Sequence, residues 1–499
     1  MWSHYSPTVA NLSPYMPHLA PSQETPLPPS LAHAPSAGSV STPLGPVAEA
    51  ERVGSVDTLR GVALLGILVM NIVAMALPPA SYMNPMAPNA VPYAGAFDGA
   101  NQLFWWVQAI VFDGKMMSIF SMLFGAGLVL MNSRAEAKAR ATAAAGGPAP
   151  RSFASIHYRR CAVLLFIGMA HAYGLWYGDI LVAYAVCGML LYPARNARPG
   201  MLLVLALTVL FVGQLIGTAM GGGLYWMRSA AEAAQKALDA GQTLSTQQNE
   251  LLTQWQATLA DFSPSVEYIE KQVAAFRGPW SSSVAANAHE SLAMQAFILP
   301  LFMLWEGTGR MLLGMALMKW GVFGAMRSTA FYVKLMAISY AIGFPLVAIG
   351  ATRLVEHQFD PAWMFLTDWK FNAVGGILVA IGHACIVMLI LRAGALQFLT
   401  TRLAAVGRMA LTNYLMQSLI GTGIFFGWGL GYFGYFERAQ LIWFVLCIWV
   451  LQLLLSPVWL KHFKFGPAEW LWRSLTHLRP QPMRRLPHPP GQPVALAGD

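Results

Sequence analysis

Charge is what this sequence has least of. Only 11% of its 499 residues are Asp, Glu, Lys or Arg, where a soluble domain carries about 25%. Cysteine is nearly as scarce. The four present (Cys161, Cys187, Cys385 and Cys447) fall in apolar stretches at no metal-like spacing, so they read as small packing residues. No Walker loop, dinucleotide fingerprint, HExxH helix or nucleophile elbow occurs in a usable context, which leaves the common soluble enzyme chemistries without a signature. The first 50 residues contain ten Pro and no Lys or Arg. Without a basic stretch ahead of an apolar run they are not a secretory signal, and they read as a disordered tail. No internal repeat is visible, which weakens an inverted-repeat transporter architecture.

What is abundant is apolar sequence: 56% of the chain, with 17 Trp and a mean hydropathy of +0.50. That balance specifies an integral membrane protein that crosses the bilayer many times. Ten stretches qualify as spans: 59–77, 113–131, 160–177, 180–194, 200–220, 294–318, 331–351, 371–391, 403–427 and 439–460. If the N-terminus is cytoplasmic, 22 of the 31 Lys and Arg fall in inner segments, while the opposite loops 78–112 and 178–179 carry none. The positive-inside rule therefore places both termini in the cytoplasm. The net charge of +9 is explained by topology and calls for no nucleic acid. The expected fold is all-α, a polytopic bundle of about ten transmembrane helices. Its parts are a tail at 1–50, half-bundles at 51–220 and 294–478, an outer helical insertion at 221–293 and a second disordered tail at 479–499. FGPAEWLWRSLTH, with Glu469 and Arg473 one turn apart, reads as an amphipathic helix on the inner leaflet.

Polar groups inside apolar spans are costly and direct the search for function. In RVGSVDTLRGVALLGILVMNIVAM, helical spacing puts Asp57, Arg60 and Asn71 within about a 60° arc of one face. They read either as a cap, an anchor and a helix–helix bond, or as a ligand-facing stripe. In GMAHAYGLWYGDILVAYA, His171 and Asp179 flank a tight link, an arrangement that orients an imidazole as a general base. The alternative makes Asp179 a cap and His171 a satisfied polar group. Glu306 and Arg310 stand one turn apart near mid-span, a self-neutralising pair or a site for an anionic ligand. Asp113 and Lys115 open the second span as a cap plus a snorkelling lysine, or as substrate contacts. Arg408 sits at an inner mouth, and Asn413 shares a face with Gln417, as Asn372 does with His383.

These runs, together with KMMSIFSMLFGAG and GRMALTNYLMQSLI, resemble in order the signatures of YeiB-type bacterial inner-membrane proteins, over roughly 51–478. That family is similar to the transmembrane acyltransferase superfamily, which includes heparan-α-glucosaminide N-acetyltransferase. The superfamily's Asp-x-x-Arg-Gly opening is matched by Asp57, Arg60 and Gly61, and its later Asn by Asn71. The resemblance implies transfer of an acyl group from cytoplasmic acyl-CoA, as co-substrate, to an envelope glycan or lipid acceptor on the far side. On that reading the matched Asp57, Arg60 and Asn71 are expected substrate contacts, and the polar groups Asp113, Lys115, Glu306, Arg310, Arg408 and Asn413, singled out by their place in or beside the spans, are further candidates. The superfamily's catalytic His precedes the second of these helices, yet residues 78–112 contain no His. His171, oriented by Asp179, is the expected replacement. A solute or lipid transporter is the competing class. Membrane lipids are expected partners, no metal is expected, and self-association is open.

Overall fold

A computed structural model describes residues 54–147 and 152–485, with no account of the Asp261 side chain. The expected tail at 1–50 lies outside these residues, as does most of 479–499. Residues 479–485 run back along the chain, where Lys464 N donates to Met483 O (2.9 Å) and Trp470 Nε1 to Gln481 O (2.8 Å).

Every regular element among the described residues is helical. In chain order they include α1 (Gly54–Ala76), α2 (Gly99–Val107), α3 (Lys115–Ala144), α4 (Phe153–Gly174), α5 (Leu181–Leu191) and α6 (Pro199–Asp239). Then come α7 (Thr246–Phe262), α8 (Val266–Arg277), α9 (Trp280–Ala293), α10 (Leu304–Lys319) and α11 (Thr329–Glu356). The last are α12 (Trp369–Arg392), α13 (Gln397–Arg408), α14 (Ala410–Phe425), α15 (Leu441–His462) and α16 (Pro467–His477). Three π-helical segments, Gln108–Phe112, Met294–Met303 and Met364–Asp368, lead into α3, α10 and α12. The fold is an all-α polytopic membrane bundle.

Seven helices among the described residues are long and apolar enough to cross a bilayer. The expected spans at 160–177, 180–194 and 403–427 are the others. α4 carries two arginines, α5 has only 11 residues, and the third is broken in two at Met409. α5 and α14 are mostly buried among neighbouring helices, whereas α4 and α13 bury one stripe and leave much of their surface exposed. The loop expected from 132 on continues α3 to Ala144.

α1 is the axis of the bundle. The Leu77-Pro78-Pro79 sequence stops it, since proline cannot extend a helix. α13 crosses it in backbone contact: a Cβ on Gly61 would run into Leu403 O, and one on Gly407 into Asp57 O. α3 and α10 meet the same way, Gly125 against Met311 O and Gly314 against Met122 O. Lipid offers helices no hydrophobic drive to associate, so close approach at small residues supplies the packing.

We call the end where α1 begins basal and the other apical. The apical mouth is covered by α8 and α9. Phe276 packs on Phe426 and Phe433 at 4.8 and 4.9 Å between ring centroids, and Arg277 Nε donates to Phe433 O at 2.7 Å. At the basal end α16 locks onto the broken helix. The Glu469 carboxylate accepts from Leu411 N (2.6 Å), Thr412 N (3.1 Å) and Thr412 Oγ1 (2.6 Å), satisfying donors that the start of α14 would otherwise leave bare. Burial pushes this carboxyl above its ordinary value, and the bonds from Thr412 and Leu411 pull it back. An i, i+4 partnership with Arg473 does not foresee that role. Trp105 is buried against Phe97, Trp106 and Phe359.

Candidate functional site

α4 ends because the amides of Leu175 and Trp176 both turn back to His171 O, at 3.0 Å each. The link that follows delivers Asp179 to the start of α5. Its two oxygens divide the roles between which the sequence left a choice. Oδ1 accepts from Val182 N (2.8 Å) as a helix cap, and Oδ2 accepts from His171 Nδ1 (2.7 Å). Both side chains are buried, at 1% and 2% exposure. In a neutral ring whose Nδ1–H faces the carboxylate, the lone pair lies on Nε2. No group among the described residues bonds that nitrogen, although it too is buried. The imidazole stands between Tyr414 and Trp176, with ring centroids at 5.2 and 6.3 Å. The link is clamped from the apical insertion: Asn287 Nδ2 donates to Leu175 O (3.0 Å) and Oδ1 accepts from Tyr177 N (3.2 Å), while Ser291 Oγ donates to Ala172 O (3.0 Å). A cavity of about 10 Å³, room for one water, adjoins Asp179, Tyr177 and Gln295.

The α1 stripe lies at two levels. Arg60 pairs with Asp57 at 2.9 Å at the basal end, with the Arg60 side chain 26% exposed. Arg408, half-buried at the end of α13, belongs to the same end. Asn71 lies about 21 Å further along at 1.5 Å per residue. It is half-buried and makes no side-chain hydrogen bond among the described residues. Its level is that of the His171 link, because Tyr177 Oη reaches Ala74 O at 3.2 Å.

A second polar knot closes the apical side of α3. Lys115 is fully buried and does not snorkel: Nζ donates to Ala109 O (2.5 Å) and Asn372 Oδ1 (2.7 Å), and Asn372 Nδ2 donates to Asp113 (3.0 Å). The final carbonyls of the Gln108–Phe112 π-segment need such donors, and His383 serves Val111 O at 3.2 Å. Gln108 donates to Val69 O (2.7 Å), and buried Arg438 donates to Gln108 Oε1 (3.5 Å) and to Ser81 O. Deeper in, Arg310 pairs with Glu306 at 2.5 Å, Gln214 donates to Glu306 at 2.6 Å, and Arg310 Nε is buried without a hydrogen bond. Asn413 donates to Val406 O (3.1 Å) and Ser456 Oγ (3.0 Å) at the α13–α14 break, which is a packing role.

The structure thus joins Asp57 to Arg60, His171 to Asp179, Glu306 to Arg310, and Asp113 to Lys115 through Asn372. It holds the basal pair and the imidazole at opposite ends of α1. Sequence reasoning missed Trp176, Tyr414, Asn287, Ser291, Gln108, Arg438 and the inward turn of Glu469. Asn287 and Arg438 sit in polar stretches that look like surface, and nothing local marks them. Trp176 stood inside the quoted WYGD link and was legible by position alone.

At the basal end a polar cleft of about 230 Å³ is lined by Asn132, Ser133, Glu136, Arg195, Asn196 and Lys319. Lys319 Nζ closes its floor by donating to Arg195 O (2.9 Å) and Ala197 O (2.7 Å).

The family model described as "Protein of unknown function (DUF418)" matches residues 317–479. The uncharacterized protein YeiB of Escherichia coli (strain K12) is 29% identical over 442 residues, covering 85% of this chain and 96% of that protein. The uncharacterized protein YxaH of Bacillus subtilis (strain 168) is 28% identical over 451 residues, covering 89% and 98%. No solved structure matches. The order of signatures along the helices and the likeness to these relatives over most of their length make the chain similar to the YeiB-type bacterial membrane proteins.

Proposed function

We propose that this protein moves an acyl group across the bacterial inner membrane, from acyl-CoA at a cytoplasmic basal end to an acceptor at the apical end. The buried His171–Asp179 pair carries the reading. A carboxylate fixes one imidazole nitrogen and the other is enclosed with nothing to bond, an expensive state that a general base for a bound acceptor accounts for. Nε2 takes the acceptor's proton as its heteroatom attacks the thioester carbonyl. The C–S bond breaks, and the imidazolium returns the proton to the departing thiolate. One acyl group moves and one thiol is released, with no redox change.

The donor's phosphates would meet Arg60, which gives one donor nitrogen to Asp57 and has others to offer. The 230 Å³ cleft at the same end suits a polar headgroup. Asn71, which makes no side-chain hydrogen bond among the described residues, would meet the acyl thioester at the level of the imidazole. The test is acyl transfer from radiolabelled acetyl-CoA into envelope fractions by the purified protein in nanodiscs. His171→Ala should lose about 10²- to 10⁴-fold in rate, and an unchanged product rejects the assignment.

The Glu306–Arg310 pair, its arginine buried and its carboxylate half-buried, favours a second reading, a solute or lipid transporter. Flux into proteoliposomes without any acyl donor, abolished by Arg310→Ala, would select it.

A further inference from the structure

The unbonded Nε2 of His171 has a neighbour in the same condition. Nε1 of Trp176 is also buried without a hydrogen-bond partner among the described residues, and Trp176 is only 1% exposed. Buried indole N–H groups ordinarily find an acceptor, so two orphans on adjoining rings ask for one explanation. The rings are 6.3 Å apart and nearly perpendicular, at 82°. The indole is not free to turn away. It is wedged so tightly that a side chain on Gly178 would collide with it.

The two nitrogens are chemically opposite. The Asp179 bond leaves Nε2 as an acceptor, while Nε1–H of Trp176 can only donate. A group lying between them must give a proton to one and offer a lone pair to the other. An alcohol O–H does both. An ammonium, the form an amine takes near neutral pH, has no lone pair for Trp176. A carboxylate or phosphate monoanion oxygen has no proton for Nε2.

We infer that one hydroxyl group occupies the space between His171 Nε2 and Trp176 Nε1, and that the acyl acceptor is an alcohol rather than an amine. This deepens the acyl-transfer reading and rests on it for the acceptor class. Trp176 holds the attacking oxygen, with its proton aimed at the base and a lone pair tied to the indole. In the resting protein a water takes the place of the hydroxyl.

Two measurements test this on the full chain in nanodiscs. A cryo-EM map fine enough to show waters should place density within hydrogen-bond reach of both nitrogens; a dry or side-chain-filled space overturns the two-nitrogen site. The other measurement uses membranes of a deletion strain as acceptor source and radiolabelled acetyl-CoA as donor. The incorporated label should be released by mild alkali, as an ester is. Alkali-stable label overturns the alcohol assignment and leaves acyl transfer standing. No label above the His171→Ala background removes acyl transfer and the acceptor class together, while the map still decides the site. Trp176→Phe keeps the ring and deletes the donor. It should lower turnover about tenfold, the worth of one hydrogen bond, with acetyl-CoA binding unchanged. Full turnover in that variant overturns the role of Trp176.

Discussion

α1 and α6 are similarly apolar, yet 78% of the apolar window of α1 is buried and only 22% of that of α6. Hydropathy says that both span and nothing about where they stand. The difference lies in which residues face inward. On α6 the large side chains Val204, Leu207, Phe211 and Leu215 point outward, and the small Ala206, Gly213 and Gly217 are buried. On α1 the buried surface includes Asp57 and the contact at Gly61. A soluble helix hides its largest apolar groups, whereas a helix in lipid can show them and hides what is small or polar. Burial within the bilayer is therefore legible from glycines and polar side chains.

The strongest way to break this comparison is to move one methyl group or more into the axis. Gly61→Leu forces a side chain into Leu403 O and should abolish recovery of folded, monodisperse protein in detergent. Gly61→Ala should survive with a loss of about 1–3 kcal/mol, as for an overpacked core. If both purify and melt like wild type, α1 is not packed against α13 as described. Next in size is Glu469→Ala, which strips an acceptor from three donors at the start of α14. A loss of about 1–3 kcal/mol is expected in denaturant or thermal unfolding, with Glu469→Gln recovering part of it. On the peripheral helix the sign should reverse. Gly223 has nothing within reach of an added Cβ, so Gly223→Ala should stabilise by roughly 0.5–1 kcal/mol through helix propensity. A destabilised Gly223→Ala would mean that α6 is covered by a neighbour.

The membrane class, the helical fold and most of the spans were legible because a bilayer imposes length and hydropathy on each segment separately. The span expected at 403–427 was drawn as one helix because Met409 is an ordinary apolar residue. What breaks the helix there is tertiary: the Glu469 carboxylate, 58 residues from Leu411, supplies the cap. The His171–Asp179 contact was legible because a short link constrains it. Lys115 was misjudged as snorkelling because its acceptors, Ala109 O and Asn372 Oδ1, come from a π-segment and from a helix 257 residues away. Local pairs can be read from spacing, while partners across the bundle need the fold.

The smallest expected effect sits on α16, at the basal surface, where neither axis nor lipid stripe is involved. Burial lowers the imidazole of His477 below its ordinary value of 6.5, and the charges of Arg473, Arg479, Arg159 and Arg160 lower it further. Arg159 and Trp472 tie α16 to α4, through Arg159 NH1 to Thr476 O (3.0 Å) and Trp472 Nε1 to Arg160 O (2.9 Å). The folded state therefore binds this proton less readily than the unfolded chain. Between the lowered value and 6.5 the unfolded chain carries more protons, so stability rises with pH across that window and is lost as pH falls through it. Thermal melting from about pH 7.5 down to about pH 5, bracketing the imidazole's usual range, should show wild type losing more than His477→Gln. The gap should shrink in high salt, which screens the arginines but leaves the burial contribution in place. Parallel curves for the two proteins would mean that α16 does not hold this ring among the arginines of α4.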